Sequence, residues 1–172
     1  MRRSHWKRLI FLPALALAGC GYHLAGTTNL LPTEIHTIAV PAWSNVSTQY
    51  KLSDYLAAAV ARELITRTHY TIIADPTKAD AVLVGAVANL ISGATVADPS
   101  GRATGAQVFV QVQVRLMDKS GKVLFDRPNL DFRDRYEIST DPKQYFDESQ
   151  AALERLSREV ARTVVSAILE NF

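Results

Sequence analysis

The 172-residue chain has one cysteine, Cys20, so its thiol chemistry is decided at that single position. A nucleophilic thiol needs a neighbouring base, and a thiolate metal site needs further ligands. The four histidines stand at positions 5, 23, 36 and 69, with no His-x-x-x-His or carboxylate–histidine spacing. No Gly-x-Ser-x-Gly elbow occurs, nor a glycine-rich phosphate loop closed by Lys-Ser or Lys-Thr. Asp126, Asp131 and Asp134 lie close in sequence, but among Arg127, Arg133 and Arg135 they read as a solvated, charge-paired strand. No catalytic residue set and no metal site is expected. An anchored hydrolase would need a nucleophile or metal that these residues do not supply.

The residues before Cys20 have an order of their own. Arg2, Arg3, Lys7 and Arg8 form a basic run, followed by an apolar block from Leu9 to Ala18. That is the organisation of a secretory signal, and about ten residues are too few to cross roughly 30 Å of hydrocarbon as a helix. The block ends in Leu17-Ala18-Gly19-Cys20, which resembles a bacterial lipobox. In that motif the sulfur takes a diacylglycerol, the chain is cut before the cysteine, and the new amino terminus is acylated. Residues 1–19 are therefore read as a lipoprotein signal peptide, and Cys20 as the lipidation site with N-acyl and S-diacylglycerol groups. No other cofactor is expected. A single acyl chain anchors only marginally, whereas two or more hold stably. Under the sorting rule that goes with the motif, Gly21 permits export to the outer membrane.

Cleavage leaves 153 residues, enough for one domain with a core. Four of the nineteen basic residues and none of the seventeen acidic ones precede Cys20. The formal +2 of the whole chain thus becomes −2 for the mature chain. A nucleic-acid partner is not expected from that balance.

Residues 20–34 contain Gly, Thr and Asn with no period and read as a lipid-anchored tether; residues 35–172 read as a single α+β domain. Ile35 to Val40 is a short strand ended by Pro41. Trp43 to Ser47 is a turn-rich connection. Leu52, Leu56, Val60 and Leu64 recur every fourth residue, predicting an amphipathic helix from about Ser53 to Arg67, capped by Ser53 or Thr48. Tyr70 to Ile73 and about Ala81 to Ile91 read as strands, and Gly85 marks a bulge or a close contact. Ser92 to Gly105 is long for a hairpin, so either the strands extend into it or it is a functional loop. Val108, Val110, Val112, Val114 and Leu116 then alternate with polar residues, the mark of a half-buried antiparallel strand. Asp118 to Lys122 is a tight turn, and Val123 to Tyr136 returns as a strand that Pro128 places at an edge or in a bulge. Leu153, Leu156, Val160, Val164 and Ile168 mark a second helix from about Phe146 to Glu170. The expected fold is a two-layer sandwich, with two helices packed on one face of a four- to five-stranded, mostly antiparallel sheet.

The sheet face opposite the helices would carry Gln107, Gln111, Gln113 and Arg115. Amides hydrogen-bond at little desolvation cost, so this strand is either simply solvated or turned toward a protein partner.

Cys20-Gly21-Tyr22-His23-Leu24 resembles the mature start of the LptE family of lipopolysaccharide-assembly lipoproteins. So do Gly101-Arg102-Ala103-Thr104-Gly105 leading into the alternating strand, and Leu116-Met117-Asp118-Lys119-Ser120-Gly121-Lys122-Val123-Leu124. Ala25 stands where the family often carries arginine. The resemblance implies an outer-membrane lipoprotein, facing the periplasm, that plugs the β-barrel LptD, assists its assembly and contacts lipopolysaccharide. It implies basic residues near the loop end of the sheet as lipopolysaccharide contacts, with Arg102 the best match and Lys119 and Lys122 at the opposite end of the strand. Another periplasmic binding or secretion-accessory lipoprotein with a similar small domain is the alternative.

Overall fold

The computed structural model describes residues 31–139 and 148–170. The signal segment, Cys20, Ala25 and most of the tether lie outside the described residues, as do Phe146 and the start assigned to the second helix.

Among the described residues six strands and two α-helices follow in the order β1 (Thr37–Ala39), β2 (Ser44–Asn45), α1 (Lys51–Arg67), β3 (Thr71–Ile73), β4 (Ala81–Ala97), β5 (Ala103–Asp118), β6 (Val123–Glu137) and α2 (Ser149–Glu170). The sheet runs β3-β1-β4-β5-β6, with β2 also paired to β4. β4, β5 and β6 form an antiparallel meander, while β1 and β2 both run parallel to β4 and β3 runs parallel to β1. Parallel neighbours need a crossover connection, which α1 supplies between β1 and β3. The architecture is the expected α+β one. The difference is β2, which lies inside the stretch read as a turn and raises the strand number to six.

The alternation along β5 does what its period predicts. Val108, Val110, Val112, Val114 and Leu116 are all buried, in one core with Leu52, Leu56, Val60 and Leu64 of α1 and Leu156, Val160, Val164 and Ile168 of α2. Full burial of each such side chain contributes about 1.5–3 kcal/mol, so this one layer outweighs any surface contact in the molecule. α2, at 22 residues, is about 33 Å long and lies over β6 and β5 on the covered side, beside α1.

Neither Ser53 nor Thr48 caps α1. Tyr50 holds the cap position without a side-chain bond, and Ser53 is buried in the first turn, donating its hydroxyl to the Tyr50 carbonyl at 2.8 Å. Gly85 is a close contact, since a Cβ built there would fall within the indole of Trp43. Pro128 is both at an edge and in a bulge: β6 is the last strand, and its register slips between Val112 and Val114. Gln113 therefore faces both Pro128 and Asn129, where the missing proline N–H breaks no ladder bond.

The stretch Ser92–Gly105 is not a loop. β4 runs to Ala97 and β5 begins at Ala103, leaving a five-residue turn at the tip of a long arm.

Candidate functional site

The two hairpin tips are the same turn built twice. In Asp98-Pro99-Ser100-Gly101-Arg102, Asp98 Oδ1 accepts from the Ser100 amide (2.8 Å), the Ser100 hydroxyl (2.6 Å) and the Arg102 amide (3.0 Å). In Asp118-Lys119-Ser120-Gly121-Lys122 the three equivalent bonds to Asp118 Oδ1 have the same lengths. Gly101 and Gly121 take φ of +80° and +84°, as a type I turn closing on a left-handed residue requires. The Ser100 hydroxyl, with the Arg102 amide after it, holds the Asp98 carboxyl below the usual carboxylate range. The Ser120 hydroxyl leads the same effect on Asp118. The shared Asp-x-Ser-Gly-basic pattern was the signal in the sequence that the stretch before Ala103 is a tight turn.

These tips stand at opposite ends of β5, sixteen residues or about 50 Å apart. Arg102 is at one end and Lys119 and Lys122 at the other, so the three do not form one site. The lysine end is also electrostatically occupied. Lys119 lies close enough to lower the pKa of Asp80, and Lys122 acts likewise on Asp118.

Between the tips lies the sheet face that the helices leave open. Gln107 and Gln111 are half-buried on it, and Gln113 and Arg115 are exposed. Strand register sets them in rows across three strands: Val84–Arg115–Asp126, Asn89–Gln111–Asp131, Ile91–Phe109–Arg133 and Gly93–Gln107–Arg135. Arg115 pairs with Asp126 at 3.0 Å, and the Gln111 amide donates to Asp131 at 3.0 Å. Such exposed pairs contribute little stability, about 0–1 kcal/mol. They keep the face polar with little net charge at its centre. A shallow depression lies between Ser44, Ala86, Gln113 and Pro128, where the small Ala86 and the bulge at Pro128 leave space.

The charge pairing differs from the neighbour-to-neighbour pattern expected along β6. Asp126 binds Arg115, Asp131 binds Gln111, and Asp134 turns to the helix side and accepts from Arg155 Nε at 3.0 Å. Arg133 and Arg135 are thereby left on the open face without a carboxylate partner among the described residues. Arg133 lies over the Phe109 ring at 5.4 Å, a cation–π contact. Together with Arg102 they give the arm end three arginines with no ion pair among the described residues. Sequence reasoning set Arg133 and Arg135 aside because alternation alone does not say which acid a given arginine meets.

No group of three or more metal-ligating side chains occurs among the described residues, and no helix among them is long and apolar enough to cross a membrane.

Solved structures share the fold at low identity. Lipoprotein B from Nitrosomonas europaea superposes with a TM-score of 0.55 at 14% identity, covering 81% of this chain and 89% of its own. The rare lipoprotein B from Shewanella oneidensis gives 0.52 at 13%, covering 78% and 95%. The PelC dodecamer subunit from Paraburkholderia phytofirmans gives 0.53 at 18%, covering 78% and 87%. A fold common to all three says nothing by itself about the task. No curated protein sequence matches the chain. The sequence model of the lipopolysaccharide-assembly family LptE matches residues 35–168, from before β1 to the last turn of α2, and the chain belongs to that family.

Proposed function

We propose that this lipopolysaccharide-assembly lipoprotein is held to the periplasmic side of the outer membrane by acyl groups on Cys20 and works as a plug and assembly partner of the LptD β-barrel. In this reading residues 1–19 are removed as the signal peptide, 20–34 form the tether and 35–172 the domain. The observation that carries it is the open face. A sheet of this size with one face buried under two helices and the other left polar and low in net charge suits a water-filled barrel lumen. Gln107, Gln111, Gln113 and Arg115 would meet the lumen wall through hydrogen bonds, including water-mediated ones.

The same reading gives the arm end to lipopolysaccharide. Arg102, Arg133 and Arg135 can bind phosphate through bidentate, charge-assisted hydrogen bonds. Lys119 and Lys122 are the weaker candidates, because carboxylates already neighbour them.

A photo-crosslinking residue placed in turn at Gln107, Gln111, Gln113 and Arg115 in cells tests the barrel contact. Adducts to an outer-membrane barrel at these positions, absent from exposed helix positions such as Glu159, are expected. Adducts only to smaller periplasmic proteins would refute the plug.

A further inference from the structure

The depression on the open face lies between two strand rows, one of which does not close. β2 sets Ser44 beside Ala86, and Ala86 faces Gln113 on β5. No residue of β6 is in register with Gln113, because the pairing slips between Val112 and Val114 where Pro128 bulges. The neighbouring row, Val84–Arg115–Asp126, is complete. Gly85 lines the space between the rows, and the buried indole of Trp43 presses on the core side of that glycine. The backbone there has no room to retreat, so the depression keeps its shape.

Its size and chemistry narrow what can enter. It holds about 230 Å³, below the roughly 300–1,000 Å³ of small-molecule pockets, which is the scale of one large side chain. Its charges are already matched, since Arg115 and Asp126 bond each other at 3.0 Å. A charged guest would have to break that pair and strand one partner. The Ser44 hydroxyl and the Gln113 amide have no hydrogen-bond partner among the described residues. A wholly apolar guest would strip water from both and return no bond. Tyrosine meets each demand: a ring to cover Val84, Ala86 and Pro128, and a hydroxyl that both donates and accepts. The Arg115 guanidinium gives that ring a cationic neighbour.

We propose that this depression is the anchor point of the barrel contact and receives one tyrosine side chain from the lumen wall of the barrel. The proposal rests on the plug reading and adds where the binding energy of that contact concentrates. Few residues of an interface carry most of its energy, and tyrosine seated in a recess is among the commonest of them. The glutamine rows toward the arm then serve to exclude water around the anchor.

Ala86→Leu fills the depression from the open face. With the full chain in detergent and the purified barrel, it should weaken association at least tenfold, while Ala58→Leu, exposed on α1, leaves it unchanged. Circular dichroism on both variants separates loss of contact from loss of fold. A photo-crosslinking residue at Ser44 tests the same point with Ala86 in place, and mass spectrometry of its adduct should find a barrel tyrosine at or beside the attachment. Alanine at that tyrosine should weaken association of the parent chain and change little for Ala86→Leu. Unchanged affinity of a folded Ala86→Leu chain overturns the proposal, as do Ser44 adducts remote from any tyrosine. If Gln107 and Gln111 still crosslink to the barrel in either case, the plug reading stands and only the anchor falls, whereas loss of every barrel adduct removes both. A folded Ala86→Leu chain that keeps the barrel but loses lipopolysaccharide would assign the depression to that ligand and likewise overturns the proposal.

Discussion

Thr37 and Asp80 hold each other side chain to backbone in both directions. Asp80 Oδ2 accepts from the Thr37 amide at 3.0 Å and from its hydroxyl at 2.8 Å, and the Asp80 amide donates back to the Thr37 hydroxyl at 2.9 Å. The His36 amide adds a further bond to Oδ2 at 3.0 Å. This clasp fixes the parallel pairing of β1 with β4, where only two residues of each strand are in register. The His36 amide foremost, then the Thr37 hydroxyl and amide, lowers the pKa of the Asp80 carboxyl.

Because that pKa is lowered on folding, the unfolded chain binds the proton first as pH falls. The clasp contributes fully above the unfolded carboxylate value of about 3.9 and is lost as pH drops through the lower folded value. Asp98 and Asp118 follow the same sign. Asp80→Asn should lower Tm at pH 7 and narrow its difference from the parent chain below pH ~4. Melting curves from pH 2 to 7 check this, and a constant difference across that range would show that the carboxylate charge is not what holds β1.

Gly85→Ala should unsettle the opposite wall of the same junction. Trp43 is buried, and its indole lies where the new methyl would go. Overpacking of this kind costs about 1–3 kcal/mol. Gly93→Ala, with open space at the corresponding atom, is the control and should change stability far less. Urea unfolding of both variants separates them, and equal midpoints would contradict the packing of Trp43 on Gly85.

The twin turns allow a comparison inside one molecule. Gly101→Ala and Gly121→Ala each force a side chain into the left-handed region, which costs about 1–2 kcal/mol. Their destabilisation should agree closely, because bonds and dihedrals match at the two tips. Asparagine at either site should cost less. A large inequality in thermal melts would mean that one tip is braced by more than its own turn.

Periodicity carried most of this fold. The five-fold alternation of β5 and the four-residue steps of α1 and α2 each require a single buried face, and a residue type alone states whether it prefers that face. β2 escaped because two residues carry no period. Its pairing is set by Trp43 docking over Gly85, a contact between positions far apart in sequence. The arm was left undecided because Ser92 to Ala97 is exposed on both sides, which removes the hydrophobic alternation that marks a strand. At the open face, alternation placed Gln107, Gln111, Gln113 and Arg115 on one side. Which arginines remain unpaired depends on cross-strand register and on Arg155 of the distant α2, neither of which is written locally.

The contrast between the two ends of β5 gives the sharpest functional prediction. If the arm end receives lipopolysaccharide phosphates, Arg102→Glu, Arg133→Glu and Arg135→Glu should each weaken binding about tenfold, the ~1.5 kcal/mol of one charge-assisted hydrogen bond. Lys119→Glu and Lys122→Glu add the same charge at the end where Asp80 and Asp118 already stand, so they should change affinity much less. The arginine effects should also shrink as salt rises, since these side chains are solvated and screened within about 10 Å at 0.1 M. Binding measured against purified lipopolysaccharide at two ionic strengths, with the full chain in detergent, tests both statements. Equal losses at the two ends would reduce the effect to overall charge and remove the arm as a site. A loss confined to Arg133 and Arg135, with Arg102 silent, would instead move the contact from the tip onto the open face beside Phe109.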